Sequence, residues 1–586
     1  MAAQRSTNRS PGNSWLPLIL TLFFVFLVLS LWGAVSLARS LDDQPLIANP
    51  MELIFSLASG RVPWPGGWAV FFLAAELLLL VGIVLVVVLV VRRRRRGRTR
   101  VDGSARLLAS DRDLREYTPA GVKESAQRLR PGGAGETPAG HGPYFGKIKL
   151  TQTPFMSSWE NMVVLIAGPR VGKSTSIAIP LIVDAPGPVI ATSNKRDLTD
   201  ATRLPRSQHG KIWVFDPQAI IGDEPEFWFD PLDGLTEAKA DKLVEHFVAS
   251  IGAEAAADPY FEPEGQALLS YLLLAAAKSG RDITAAYRWA VNYRDREPVT
   301  LLDGVNELIS YRLLALYELP DRTRAGVFGT AMKLLRCLEN PVILRWVVPP
   351  SRKSVPKFDP HAFVRSRDTL YLLSREGGKT AGPLVAALTQ AVLDAGEEAA
   401  QRMSGARLDP PLLGVLDEVA NVCRIKELPN LYSHYGSRGM VCCAILQSWK
   451  QGVEVWGEKG MSKLFSSANV RIYLGGEADD ETLRKFSSLI GEHAERTYSQ
   501  SRDRTGHTST TASTQMRPIF TVADLAAFPR GRGVVFASGA PATLIETVPW
   551  MARENAAAIR ESIARYDPSH HDTAAPVVAK PLEGTP

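Results

Sequence analysis

Apolar positions follow three patterns along this chain, and each predicts a different kind of element. Near the N-terminus they run unbroken: Leu16 to Leu37 holds no charge, and Trp68 to Val91 holds only Glu76. Runs of that length cross an apolar layer of about 30 Å as a helix. A cleaved signal sequence has a shorter apolar stretch and no second span behind it. Transmembrane helices are therefore predicted at 15–38 and 68–91, with a loop at 39–67 between them and membrane lipid around them.

Further along, the apolar runs become short. Asn161–Ile166, Pro188–Ser193, Lys211–Asp216, Asp368–Ser374, Pro411–Leu416, Met440–Leu446 and Val470–Leu474 each suit a strand buried on both faces. Helical stretches separate many of them, such as Pro383 to Arg402, where the proline fits a first helical position. Strands alternating with helices predict an α/β fold with a mostly parallel sheet. Between 235 and 345 only helical periodicity is visible, at 237–252, 264–278, 300–319 and 323–339. This reads as an all-helical insertion between the two parts of a nucleotide-binding domain, 151–234 and 346–550.

The third pattern is polar. Residues 92–150 read as a basic juxtamembrane segment and linker, broken by glycines and prolines. Ser499 to Thr514 reads as a flexible loop, and 551–586 as one helix followed by a disordered tail from Ser569.

Charge adds orientation. Arg92 to Arg96, Arg98 and Arg100 follow the second span, whereas the 39–67 loop has only Arg39 and Arg61 against Asp42, Asp43 and Glu52. The tail 1–14 carries Arg5 and Arg9. Positive-inside then puts both chain ends and the bulk of the chain in the cytoplasm. Those seven arginines exceed the net charge of +6, so the basicity belongs to the membrane flank and indicates no general nucleic-acid surface. Glu76 inside a span is assigned to helix packing or assembly rather than an ion path. The four cysteines form no CxxC pair and the nine histidines no HExxH, which argues against a disulfide framework, a zinc site and a metalloprotease.

Chemistry concentrates in two strings. Ala167-Gly168-Pro169-Arg170-Val171-Gly172-Lys173-Ser174-Thr175 follows a predicted strand and opens a helix, the setting of a phosphate-binding loop. Loop N–H groups and the helix N-terminus would cradle phosphate, Lys173 would reach the β/γ-phosphates, and Ser174 would offer its hydroxyl to Mg²⁺. Ala167 stands where glycine is usual. The second string, Pro411 to Leu416 followed by Asp417 and Glu418, reads as a buried strand with acids at its C-terminal end. Asp417 is assigned to Mg²⁺ and Glu418 to polarising the attacking water, with ATP as the nucleotide.

Taken together, these strings resemble the type IV coupling proteins, the TraG/TraD group of conjugative DNA-transfer systems, from residue 15 to about 550. Thr192-Ser-Asn-Lys195-Arg-Asp197, Phe215-Asp216-Pro217, Asp230-Pro231-Leu232, Leu416-Asp417-Glu418-Val-Ala420-Asn421 and Leu446-Gln447-Ser448-Trp-Lys-Gln451 carry the likeness. The resemblance implies a RecA-like P-loop ATPase in the bacterial inner membrane. It would be a homo-hexamer that takes single-stranded DNA with its bound relaxase to a type IV secretion channel. It also implies γ-phosphate sensing by Gln447 and, from the neighbouring subunit, an arginine for which Arg438 is the candidate. Two alternatives stay open: an FtsK-like double-strand DNA translocase, and a nucleotide-gated substrate receptor without motor activity.

Overall fold

The computed structural model describes residues 16–95, 99–131, 135, 138–251, 261–351, 355–375, 380–502 and 508–568. The expected N-terminal tail, Arg96, Arg98 and the tail from Ser569 lie outside the described residues. The chain divides into two units, Met1–Thr99 and Arg100–Pro586.

The first unit holds helices Leu16–Leu41, Pro50–Ala58 and Gly66–Arg95. Windows Phe24–Leu41 and Gly66–Val86 are long and apolar enough to cross a membrane. Only 6% of the second window is buried, so its apolar side chains face outward, unlike those of a soluble core helix. Glu76 is hydrogen-bonded to Ser30 across the long helices, satisfying one intramembrane polar group with another.

The second unit is built on an eleven-stranded sheet. Its strands are β1 (Tyr144–Ile148), β2 (Pro154–Met156), β3 (Val163–Ile166), β4 (Val189–Ser193), β5 (Ile212–Phe215), β6 (Thr369–Leu373), β7 (Leu412–Leu416), β8 (Met440–Leu446) and β9 (Val470–Tyr473), with two more described below. A separate hairpin of β10 (Glu492–Arg502) and β11 (Thr508–Pro518) precedes β12 (Arg532–Ala537) and β13 (Thr543–Glu546). The order across the sheet is β2-β1-β13-β12-β9-β3-β8-β7-β4-β6-β5. From β9 to β5 every pairing is parallel, while β2, β1, β13 and β12 pair antiparallel.

Parallel strands bury both faces, and β3 shows the consequence. Val164 and Ile166 enter one apolar cluster and Val163 and Leu165 the other, all at most 1% exposed. Helices Gly382–Gln401 and Trp449–Ser467 contribute to the first cluster, and Ile179–Asp184 and Ala556–Tyr566 to the second. Between β5 and β6 the described residues form helices, with a single bridge from Trp228 to Lys357. Their buried faces, including Phe247, Leu272 and Phe328, continue the first cluster. The helix expected at 300–319 is two helices, Glu297–Asp303 and Glu307–Tyr317, because Asn306 caps the second through the N–H groups of Leu308 and Ile309.

Two polar stretches differ from expectation. Of the segment read as a loop at 499–514, the described residues 499–502 and 508–514 lie in β10 and β11, paired in unbroken register from Glu492↔Pro518 to Arg502↔Thr508. Its serines and threonines carry no apolar alternation, yet threonine favours extended backbone and the ladder satisfies the main chain. Part of the segment read as a linker is folded against the sheet: Leu114, Tyr117, Val122 and Ala126 are buried, on or next to short helices Arg115–Tyr117 and Pro119–Leu129. Asp102 anchors it by a bidentate pair with Arg532, at 2.7 and 3.0 Å, with both side chains 6% exposed.

Breaking a buried pair leaves an uncompensated charge. Glu546 remains 3.5 Å from Arg532 and softens that loss. Asp102→Ala is therefore expected to destabilise the sheet unit by roughly 2–3 kcal/mol. Denaturant unfolding followed by tryptophan fluorescence checks this; an unchanged midpoint would show that the segment is not anchored there.

Candidate nucleotide site

The site forms where β3, β8 and β7 end side by side. Ile166 of β3 pairs with Leu446 of β8, so Ala167 and Gln447 leave neighbouring strands at the same level. The Ala167 N–H donates to the Leu446 carbonyl at 2.9 Å. Backbone handedness explains why alanine serves at this position. The left-handed residues of the loop are Arg170, φ 60°, and Gly172, φ 100°, and Ala167 is not among them. Its methyl is fully buried. Alternation of handedness in a short loop is the geometry of an anion-binding nest of amides. Ser174–Ala178 then forms one wide π-type turn that continues as Ile179–Asp184, a local irregularity typical of functional sites.

Thr192 of β4 donates its hydroxyl to the Asp417 carbonyl at 2.9 Å and fixes the end of β7. Successive strand residues point to opposite faces, which would separate two adjacent carboxylates. Glu418 breaks that rule by adopting a left-handed conformation, φ 54°, and both acids meet Lys173. Lys173 Nζ lies 3.0 Å from Asp417 Oδ1 and is also paired with Glu418. Gln447 donates its amide to both Glu418 oxygens, at 2.7 and 2.8 Å, and Asn421 adds a longer contact of 3.4 Å. Lys173, Asp417, Glu418 and Gln447, far apart in sequence, thus form one cluster.

Electrostatics follow from burial. Asp417 and Glu418 are 4% and 5% exposed. Desolvation pushes the Asp417 carboxyl up to about 6, against the pull of Lys173. Burial pulls the Lys173 ammonium down, but Asp417 and Glu418 outweigh it and leave it above its ordinary value. Asp417 Oδ1 faces the Lys173 ammonium at 3.0 Å, which Asp417 shares with Glu418. Two buried carboxylates that share one ammonium leave room for a hard cation.

The remaining assignments separate. Gly168, Pro169, Val171 and Thr175 belong to the loop and its helix start, and the Thr175 hydroxyl donates to the Gly172 carbonyl at 3.3 Å. Arg438 lies in the turn Gly436–Arg438 before β8, whereas Gln447 follows its other end. A seven-residue strand separates them by about 20 Å, so Arg438 is not part of this chain's own cluster. Asp216 caps its own turn through the N–H groups of Ile220, Ile221 and Gly222.

The sequence reading missed Gly475, Gly476 and Glu477, which follow β9 and press on the phosphate loop. Gly168 donates its N–H to the Gly475 carbonyl at 2.9 Å. The available signal was a Gly-Gly pair directly after an apolar strand, a position where backbone approaches backbone.

Residues 411–530 match the sequence model of a family described as the TraM recognition site of TraD and TraG. Over that segment the chain is similar to the TraD and TraG proteins. The matched span contains Asp417, Glu418, Gln447 and the Gly475–Glu477 turn. No curated protein matches by sequence. Among solved structures, the bacterial conjugative coupling protein TrwBdeltaN70 in its unbound monoclinic form is similar, with 15% identity and a TM-score of 0.51. That alignment covers 73% of this chain and 91% of TrwBdeltaN70, and it establishes the fold. The plasmid coupling protein TrwB in complex with ADP and Mg²⁺ aligns at 14% identity over 72% of this chain and 92% of that one, with a TM-score of 0.49.

A carboxyl held at about 6 gives the cluster a pH dependence with a definite sign. Above that value Asp417 is ionised and can hold a cation; below it, a proton competes. Mg²⁺-dependent nucleotide affinity is expected to fall up to about tenfold per unit as pH drops below about 6. Calorimetric titrations between pH 5 and 8 check this, with Asp417→Asn expected to remove the dependence. By the same linkage, a raised carboxyl contributes stability at low pH that is lost as pH rises through about 6.

Proposed function

We propose that this chain is a membrane-anchored, ATP-driven coupling protein that takes a relaxase-bound single strand of DNA to a type IV secretion channel. The observation that carries the reading is the convergence of Lys173, Asp417, Glu418 and Gln447 at the C-terminal edge of adjacent parallel strands, the last three of them inside the segment similar to TraD and TraG.

Each group then has a task that its position supports. Loop amides from Gly168 to Ser174 bind the phosphates, and Lys173 moves from the carboxylates onto the β/γ-phosphates. Asp417 and the Ser174 hydroxyl are the residues that would hold Mg²⁺, which when bound supplies charge neutralisation on the phosphate oxygens. Glu418, released from Lys173, accepts the proton of an attacking water, and Gln447 beside it orients that water against the γ-phosphate. Bound to both Glu418 oxygens, the Gln447 amide would register loss of that phosphate. In a ring of six copies, Arg438, excluded from its own cluster by the length of β8, would serve the neighbouring copy.

Anchorage fits the outward-facing apolar helices of the first unit. The positive-inside reading then puts the motor in the cytoplasm of a bacterial inner membrane.

Lys173→Ala is expected to abolish ATP hydrolysis and DNA transfer while membrane insertion stays intact, measured by phosphate release, mating frequency and membrane fractionation. Full transfer by this variant would refute the motor role. Stimulation of hydrolysis by duplex DNA alone, without any effect of single strands, would favour a double-strand translocase.

A further inference from the structure

The turn after β9 touches both the phosphate loop and the segment that carries Gln447. Besides the hydrogen bond from Gly168 to Gly475, the backbones of Gly168 and Gly476 are in direct contact. A methyl group on Gly168 would come within 2.5 Å of the Gly476 carbonyl oxygen, and one on Gly476 within 2.7 Å of Gly168 Cα. Glu477 follows, 5% exposed, with its carboxylate fully engaged. Its Oε2 accepts the Trp449 N–H at 2.9 Å, and its Oε1 accepts those of Ala478 and Asp479 at 2.9 and 3.1 Å.

The same short segment is held from the other side. Gln451 Oε1 accepts the Gln447 N–H at 3.1 Å, while the Gln451 N–H donates to the Ser448 hydroxyl at 3.3 Å. Lys450 pairs with Asp479 at 2.7 Å and ties the helix start to the same turn. Side-chain oxygens therefore fix the main chain at Gln447 and at Trp449. Ser448 already serves as the helix cap through Gln451. Glu477 instead takes the first helical N–H, which that cap does not reach. A carboxylate at a helix N-terminus, accepting three backbone N–H groups, makes strong and directional hydrogen bonds.

We propose that Glu477 is a positioning residue for Gln447, acting with Gln451, and that it links the amide of Gln447 to the phosphate loop. The inference rests on the reading that this site hydrolyses a nucleotide. Its chain of contacts runs from Gly168 through Gly475 and Gly476 to Glu477, then through Trp449 to Gln447. A shift of the loop when phosphate binds is thereby passed to the side chain that contacts Glu418. Glu477 touches no substrate; it sets where Gln447 leaves β8.

The test uses the full chain in lipid nanodiscs, comparing wild type with Glu477→Gln, Gln451→Ala, Gln447→Ala and the Glu477→Gln/Gln447→Ala double variant. Glutamine keeps one carbonyl oxygen and gives up half of the clamp. Glu477→Gln is expected to lower kcat roughly 10- to 100-fold while affinity for a non-hydrolysable ATP analogue stays within about twofold. Combined with Gln447→Ala it is expected to add little, since both act through one group. Gln451→Ala is expected to give the same split between kcat and affinity, and it decides the question if Glu477→Gln does not fold. Loss of analogue affinity in step with kcat, or full additivity with Gln447→Ala, would overturn the proposal. A wild-type chain without turnover would defeat the hydrolysis reading and this proposal with it. Active wild type with an unaffected Glu477→Gln would defeat the proposal alone.

Discussion

An ammonium shared by two buried carboxylates is the interaction on which the rest of this structure depends. One positive and two negative groups taken out of water leave an excess of negative charge in a poorly solvated place. That excess adds to the desolvation that holds Asp417 near 6 despite the lysine beside it. It is also why the cluster is matched to a metal–phosphate pair, which adds a cation for the acids and an anion for the lysine. An arrangement of this kind is tolerated in a folded core only where the surrounding backbone is fixed, and the parallel ladder of β4, β7, β8 and β3 fixes it.

Strain is placed at the same spot. Arg170, Gly172 and Glu418 all adopt left-handed backbone within this small region. For the two residues with a Cβ this costs of order 1 kcal/mol each. The cost gives what regular structure cannot: a curled loop on one strand, and adjacent acids directed to one ammonium on another. The antiparallel strands β12, β13, β1 and β2 extend the sheet on the β9 side, and the ion pair of Asp102 with Arg532 fastens the segment that leads into them. The edge that carries the cluster is thereby braced along β9, whose terminal turn contacts the Gly168 loop.

Much of the fold was legible because parallel strands buried on both faces must be short continuous apolar runs. Val189–Ser193, Thr369–Leu373, Met440–Leu446 and Val470–Tyr473 all sit inside runs recognised on that ground. The hairpin of β10 and β11 escaped because its strands are rich in serine and threonine, so neither face carries an apolar alternation. The folded stretch around Leu114, Tyr117, Val122 and Ala126 escaped because its apolar residues are few and set among charges. Antiparallel strands as short as Pro154–Met156 and Thr543–Glu546 carry too few residues to show a period.

By itself the sequence determined the two apolar spans, the phosphate loop, the acidic strand end and the Gln-Ser segment, since each is a local pattern whose chemistry depends on neighbouring residues. Only the tertiary structure decided which of them meet. Strand order brought Lys173, Asp417, Glu418 and Gln447 together and put Arg438 at the opposite end of its strand. It also set Gly476 against Gly168 and Glu477 against Trp449, contacts between segments some 30 to 300 residues apart. Sheet register and backbone handedness act over such separations, and no window of sequence contains them.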